Sequence, residues 1–367
     1  YASIISGYQC AFMAPTEILA KQHYQNVIKL FKNIKIELLT GSMTKKQKDN
    51  IKEKLINNEI DILIGTHSLI QEDIKFNNLG LVITDEQHRF GVNQRNNLRN
   101  KGEMPDVLYM SATPIPRTYA LTIYGDMDIS TIKTIHPGKK KIITYLKDKN
   151  EIKDILIMIK KELDMNHQVY VVAPSIEEES ELESVLQLSK RYEIAFKNYN
   201  IGILHGKMKE KDKDKIMQEF IDNKINILIS TTVIEVGVDV KNATMIVIHN
   251  ADMFGLSTLH QLRGRVGRND LQSYCILIGN KESERLKIME SVLDGFEISE
   301  ADFNMRGSGD LFGTRQSGDM QFKIADIKKD FKIMLMAKED SMEFLNNKLL
   351  DDYKYIKESL KKSVNID

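Results

Sequence analysis

Tryptophan is absent from this 367-residue sequence, proline occurs six times and cysteine only twice. Cys10 and Cys275 each sit in an apolar, strand-like run. Two such thiols exclude a disulfide framework and a cysteine-based zinc site, and they fit a reducing compartment. Net charge is missing too: 52 basic residues balance 52 acidic ones. Bulk charge therefore selects no partner, and any nucleic-acid surface must come from local clusters. No apolar run is long enough to span a bilayer, and no charged-then-apolar leader opens the chain, so membrane insertion is not expected. The phosphate-cradling pattern G-x-x-x-x-G-K-[ST] is also missing. The nearest string, Gly202 to Lys207 in GILHGKM, is one residue short and is followed by Met208. What is present, 42% apolar and 28% charged residues, fits a folded globular chain of two domains and a tail.

Strand-length apolar runs alternate with amphipathic helical patterns along most of the chain. The runs are QCAFMA, KIELLT, DILIGT, LGLVIT and VLYMSAT, then KIITYL, QVYVVAP, IGILHG, NILIST, TMIVIHN and SYCILIG. Several carry Val, Ile or Leu on both faces, as strands of a doubly covered parallel sheet do. Helical patterns over 16–32, 44–57, 151–163 and 209–222 separate them, which argues for α/β architecture with parallel sheets. IHPGKKK, residues 135–141, interrupts the alternation with Pro137, Gly138 and a lysine run. Three regions are expected: a first lobe over 1–137, a second of similar plan over 138–290, and a tail over 291–367. The tail is Gly-rich and polar, then helical near 327–339 and 342–360. The opening YASIISGYQCAFMAP reads as a helix end at Tyr1–Ser6, a stop at Gly7 and a strand at Gln9–Ala14.

Open parallel sheets bind ligands at the carboxyl ends of their strands. Informative residues gather at such ends: Pro15-Thr16-Glu17, Gly41-Ser42, Gly65-Thr66-His67, Asp85-Glu86-Gln87-His88, Ser111-Ala112-Thr113, His205-Gly206 and Thr231-Thr232. One such end is ordinary loop chemistry; so many in one chain are hard to explain as turns alone. Asp85 has the chemistry to hold a magnesium ion that neutralises phosphate charge, and Glu86 to orient or deprotonate an attacking water. The plain alternative is the usual preference for acids at a helix N-terminus, which is the better reading of an isolated pair. Gln87, His88 and the other strand ends tip the balance toward phosphate chemistry. QLRGRVGR, residues 261–268, offers Arg263, Arg265 and Arg268. On a helix Arg265 and Arg268 would share a face, two guanidinium forks suited to phosphate. A solvated basic helix is the alternative, but Gly264 and Gly267 are poor residues for one. TTVIEVGVDV sets hydroxyls at a strand end ahead of Glu235, Gly237 and Asp239, or simply caps a helix with Thr231 or Thr232. SATPIPR is part of the same site or a rigid loop set by Pro114 and Pro116.

Together these residues carry a resemblance. MAPTEILAKQH, DEQH, SATPIPRT, LHGKM, TTVIEVGVDV and QLRGRVGR resemble, in order and spacing, the motifs of superfamily 2 helicases. DEQHRFGV with DGFEISEADFNMRGSGDLFGTRQSG narrows this to the RecG family of ATP-dependent DNA helicases, from near residue 1 to at least residue 320. The transcription-repair coupling factor Mfd is the nearest alternative. Gln87, where Mfd usually carries a third acid, and GTRQSG favour RecG.

The resemblance implies two RecA-like lobes followed by a translocation element and helices, with ATP and Mg2+ as cofactors. It implies branched DNA (forks, Holliday junctions) as partner, a monomeric motor without membrane association, and a bacterial cytoplasmic, nucleoid-associated setting. By the same resemblance Asp85 holds magnesium and Glu86 activates water. Gln87, His88 and Ser111-Ala112-Thr113 couple nucleotide state to lobe movement. Arg265 and Arg268 reach the γ-phosphate, with Arg268 as the finger, while Gly237, Asp239 and Gln261 line the nucleotide cleft. Pro15, Thr16, Gly41, Ser42, Gly65, Thr66, His205, Gly206 and Thr231 contact the DNA backbone. Arg306, Gly309, Thr314, Arg315 and Gln316 belong to the translocation element, where Ser308 replaces a proline common in the family. The family's phosphate cradle and wedge domain precede the region matched here. The resemblance therefore implies the C-terminal part of a RecG protein, expected to bind DNA without hydrolysing ATP by itself. Such a chain is also expected to be less stable than its parent and to aggregate along an exposed sheet edge.

Overall fold

The computed structural model describes residues 1–112, 128–132, 140–175, 184–232, 237–306, 330–347 and 352–363. The first lobe runs α1 (Ala2–Ile5), β1 (Gln9–Met13), α2 (Glu17–Leu30), β2 (Ile36–Leu39), α3 (Lys45–Ile56), β3 (Ile62–Gly65), β4 (Leu79–Thr84), α4 (Val92–Arg99) and β5 (Asp106–Tyr109). The second runs β6 (Ile143–Lys147), α5 (Ile152–Asp164), β7 (Gln168–Val172), α6 (Val185–Ala195), β8 (Ile201–Leu204), α7 (Glu210–Ile221), β9 (Ile227–Ser230), β10 (Ala243–Ile248), α8 (Leu256–Arg263), β11 (Tyr274–Ile278) and α9 (Glu284–Ser291). After these come α10 (Gly295–Arg306), α11 (Phe331–Asn346) and α12 (Lys354–Ser363).

Each apolar run became a strand, and every pairing is parallel. The first sheet has the order β2-β3-β1-β4-β5 and the second β6-β11-β10-β7-β9-β8. The inner strands β1, β7 and β10 are buried throughout, as strands covered by helices on both faces must be. β5 differs: it closes its sheet among the described residues, its residues alternate between exposed and half-buried, and Leu108 is 49% exposed. Two apolar clusters flank the second sheet, one around Tyr170, Phe220 and Leu277, the other around Ile159, Val171 and Tyr192. Two smaller ones flank the first, around Leu63 and Leu98 and around Phe12 and Ile64.

The lobes share details that pattern reading did not foresee. Gln9, the first residue of β1, is buried and donates through Nε2 to the carbonyls of Leu55 (3.0 Å) and Ile60 (2.8 Å). Gln168, the first residue of β7, donates to Phe220 (2.6 Å) and Ile225 (2.7 Å). Each amide thus clamps the end of a helix to the start of the next strand. In both lobes an asparagine in the left-handed region follows that helix, Asn58 at φ 60 and Asn223 at φ 58. Asparagine reaches that region at lower cost than most side chains, which is why it stops these helices.

By packing, the described chain divides into two compact units. One is Tyr1–Pro114 with Ile135–Asp302 and holds both sheets; the other is Ile115–Thr134 with Phe303–Asp367 and holds α11 and α12. The tail pattern needs one correction. A break was expected between residues 339 and 342, but α11 runs through it to Asn346. Ser341 turns its hydroxyl back onto the Lys338 carbonyl at 2.8 Å, which lets a polar residue sit inside the helix. Among the described residues no helix is long and apolar enough to cross a membrane.

Candidate nucleotide and nucleic-acid site

β4 delivers Asp85 beside the end of β1, where the Asp85 amide donates to the Met13 carbonyl at 2.9 Å. Asp85 Oδ1 accepts the Glu86 amide at 2.9 Å, and Oδ2 lies 2.8 Å from Nε2 of His23 on α2. The chain then turns through Glu86 at φ 48, a left-handed conformation uncommon outside glycine and asparagine. That turn tucks the Glu86 side chain in, to 7% exposure. Gln87 is also buried; its amide donates to the Met110 carbonyl at 3.2 Å, and its Oε1 accepts from Arg95 at 3.2 Å. The acid pair is thereby tied to the strand end that leads into Ser111 and Ala112. Both of these are exposed, while Thr113 lies outside the described residues. So does the side chain of His88.

One helix connects this corner to the second lobe. Thr16 caps α2, accepting from the Leu19 amide at 3.3 Å. Glu17 holds Ser42 through both the Ser42 amide (2.8 Å) and hydroxyl (2.6 Å), which brings Pro15-Thr16 and Gly41-Ser42 together. Ile18 packs against the second lobe's core. A Cβ added at Gly237 would lie 3.2 Å from a Leu19 methyl, a tight contact that glycine avoids. Gln22 accepts the Asp239 amide through Oε1 at 3.3 Å. The next residue is His23, already bonded to Asp85. Gln22 and His23 both stand in MAPTEILAKQH, whose spacing does not show where a helix side chain lands.

The arginine motif requires a correction. Arg265 and Arg268 were expected to share a helix face, but α8 ends at Arg263, Gly264 caps it, and Gly267 has φ 73. Gly264 itself stays right-handed helical, and only Gly267 adopts the left-handed backbone that glycine makes easy, three residues further on. The three arginines then separate. Arg263 is 3% exposed and donates to the carbonyls of Met289 (2.9 Å), Val292 (2.9 Å) and Leu293 (3.1 Å), closing the end of α9. Its neighbour His260 is pushed down to about 4 by burial, with the Arg263 charge adding to the effect. Arg265 is buried, with Nε 3.4 Å from the Gln261 carbonyl. Arg268 keeps more exposure, donates to the Gly237 carbonyl at 3.4 Å and stands 3.7 Å from Asp239. Burial holds the Tyr170 hydroxyl above its ordinary value, while the positive fields of Arg268 and Arg265 pull it back down. Gly237, Asp239 and Arg268 are thus joined by contacts, and Gln261 and Arg265 form a second pair.

The remaining strand ends are mixed. Gly65 and Thr66 are buried; the Thr66 hydroxyl faces Ser68 at 3.1 Å, and a Cβ at Gly65 would meet the Leu39 carbonyl at 2.3 Å. They shape the loop and present no hydroxyl at the surface. His205 is half-buried, Gly206 is exposed, and the Thr231 amide donates to Leu204 at 3.3 Å. Gln316 and the side chain of Arg306 lie outside the described residues, as do Glu235, Gly309, Thr314 and Arg315.

Residues 3–122 match the DEAD/DEAH box helicase profile and residues 147–270 the helicase conserved C-terminal domain. Residues 292–363 match domain 3, C-terminal, of the ATP-dependent DNA helicase RecG. The chain is 48% identical to the ATP-dependent DNA helicase RecG of Staphylococcus epidermidis (strain ATCC 35984), over 99% of this chain and 55% of that protein. The chain belongs to the RecG family of helicases. The RecG of Bacillus subtilis (strain 168) is 49% identical over 93% of this chain and 51% of its own length. A solved structure of RecG bound to a three-way DNA junction superposes with a TM-score of 0.72 at 42% identity, covering 89% of this chain and 44% of that one. The two parallel-sheet lobes are those of the RecA-like helicase fold, and the Mfd alternative finds no support in these matches. The chain spans about half the length of the curated RecG relatives it matches.

Proposed function

We propose that this chain forms the motor part of an ATP-dependent DNA helicase that remodels branched DNA, replication forks and Holliday junctions, during recombination and repair. The observation that carries the reading is the run of contacts along one turn of α2. His23 touches Asp85, Gln22 touches Asp239, and Asp239 faces Arg268. An acid pair on one lobe and an arginine on the other are linked through a single helix, as a nucleotide site between two lobes requires. The junction-bound RecG relative supports branched DNA as the partner.

Among the described residues no cluster of three or more His, Cys, Asp or Glu could cage a metal ion. A magnesium ion held by one carboxylate, phosphate oxygens and water needs no such cage, so Asp85 at an open strand end fits it. Bound there, Mg2+ would neutralise β/γ-phosphate charge. Glu86 would orient the attacking water, and Arg268, seconded by Arg265, would meet charge developing on the γ-phosphate. Gly237, Asp239 and Gln261 would shape the nucleotide cleft. Gln87, bonded to Met110, would pass nucleotide state to Ser111-Ala112. Thr16, Gly41, Gly206 and Thr231 would hold phosphates of the DNA backbone, with Pro15, Ser42 and Gly65-Thr66 supplying loop shape; such contacts fix position without reading sequence. We place this work in the bacterial cytoplasm, on nucleoid DNA.

The deciding experiment joins this chain to the upstream half of the Bacillus subtilis relative and measures DNA-stimulated ATP turnover, beside the chain by itself. The joined protein should turn over ATP, and Arg268→Ala should lower its rate by about 10³-fold or more while fork binding persists. Glu86→Gln should be comparably damaging. Undiminished turnover in both variants would remove the assigned site.

A further inference from the structure

We infer that His23 is a positioning residue for Asp85, an inference that rests on the reading of Asp85 as the magnesium carboxylate. A carboxylate only accepts hydrogen bonds, so at 2.8 Å from Oδ2 the His23 Nε2 carries the hydrogen. The Glu86 amide takes Oδ1. Each carboxylate oxygen therefore has one fixed donor, and the group's rotation about its own bond is set from two sides. The remaining acceptor capacity of both oxygens is left to the open side of a carboxylate that is 17% exposed.

The imidazole is itself fixed. It packs on the ring of Phe12 in β1, centroids 4.5 Å apart and planes at 32°. Leu19 and Ala20, fully packed on the same helix, hold α2 to the sheet independently of His23. His23, 22% exposed, adds little to that anchoring, so packing alone is a weak reason for a histidine here. A donor supporting a metal-facing carboxylate is a strong one: loss of such a partner typically costs about 10–100-fold in metal affinity. Position adds a consequence. Gln22, the preceding residue, accepts the Asp239 amide, so a change in that contact is felt one residue from the group that orients Asp85.

The test uses the 367-residue chain with 15N-labelled histidine rings and Mn2+ as the probe. Long-range 1H–15N spectra should show His23 as the Nε2–H tautomer. Mn2+ should broaden the His23 ring ahead of the other histidines, and Asp85→Asn should abolish that order. Water-proton relaxation then reports Mn2+ binding in the variants, with thermal melting as the check on folding. His23→Ala should raise the half-saturating Mn2+ concentration about tenfold. His23→Gln, which returns an N–H donor near the Nε2 position, should stay within about threefold of the parent chain. An unchanged Mn2+ response in His23→Ala overturns the positioning role and leaves Asp85 standing. Equal losses in the Ala and Gln variants also overturn it, reducing His23 to packing. A parent response that Asp85→Asn does not alter removes the metal reading of Asp85 and this inference together.

Discussion

After β4 the first lobe passes through Glu86 at φ 48, a 3₁₀ turn over Gln87–Arg89, and Phe90-Gly91 into α4. After β10 the second lobe passes through Asn250 at φ 48, a 3₁₀ turn over Ala251–Met253, and Phe254-Gly255 into α8. The backbone is the same, and the side chains decide what each corner does. Where the first lobe has a partly open Asp85, the second has His249, 1% exposed and 3.1 Å from the Tyr192 hydroxyl. Where the second lobe has asparagine, well suited to a left-handed turn, the first keeps glutamate. A less suitable residue held in a costly conformation is a mark of functional sites. One corner is closed by an aromatic residue; the other spends conformational energy to retain an acid.

The sharpest way to probe this contrast is at the helix ends that follow. Arg263→Ala should destabilise the second lobe by about 3 kcal/mol, because three carbonyls at the end of α9 lose their donor. Its counterpart Arg99 is exposed, and Arg99→Ala should stay within about 0.5 kcal/mol. Denaturant melts of the two variants check both. The glutamine clamps come next. Gln9 Oε1 also accepts the amides of Asn77 and Asn78, whereas the buried Gln168 Oε1 has no partner among the described residues. Gln9→Ala should therefore cost about 2–3 kcal/mol and Gln168→Ala about 1–2 kcal/mol. Equal losses would break the asymmetry.

A third difference is titratable. His260, with Asn96 at the corresponding place in the first lobe, falls from 6.5 when unfolded to about 4 when folded. Its contribution is complete above the unfolded value and is lost as pH falls toward the folded one. Allowing for partial solvent screening, the loss is about 1–2 kcal/mol. His260→Gln should flatten the stability–pH curve between pH 6.5 and 4. The smallest effect is a gain: Glu86→Asn, which copies the second lobe's turn, should stabilise the first by about 0.5–1 kcal/mol while ending turnover in the joined protein.

The sheet order was not legible in the strand runs, but the strands themselves were, because doubly buried parallel strands are short, continuous and apolar. The acid pair was legible as a strand end, and Gly237 and Asp239 as part of the segment that follows one. Two kinds of information were not. In QLRGRVGR the helix ends at Arg263 and the chain turns through Gly267, and spacing alone does not show where that end falls, so Arg263 reads as one group with arginines it does not work with. Contacts from helix flanks, such as Gln22 to Asp239 and His23 to Asp85, depend on how α2 is rotated over the sheet, and a local pattern does not fix that rotation.

β5 and its counterpart β11 make a last contrast. β11 is flanked by β10 and β6, whereas β5 has β4 on one side and, among the described residues, nothing on the other. For anyone purifying the chain, that edge is the first place to test for self-association. Among the described residues this leaves a row of open backbone donors and acceptors beside a half-exposed Leu108, and such a row joins another more readily as concentration rises. Light scattering against concentration, repeated with a lysine at Leu108, would show how much of the handling behaviour comes from this one strand.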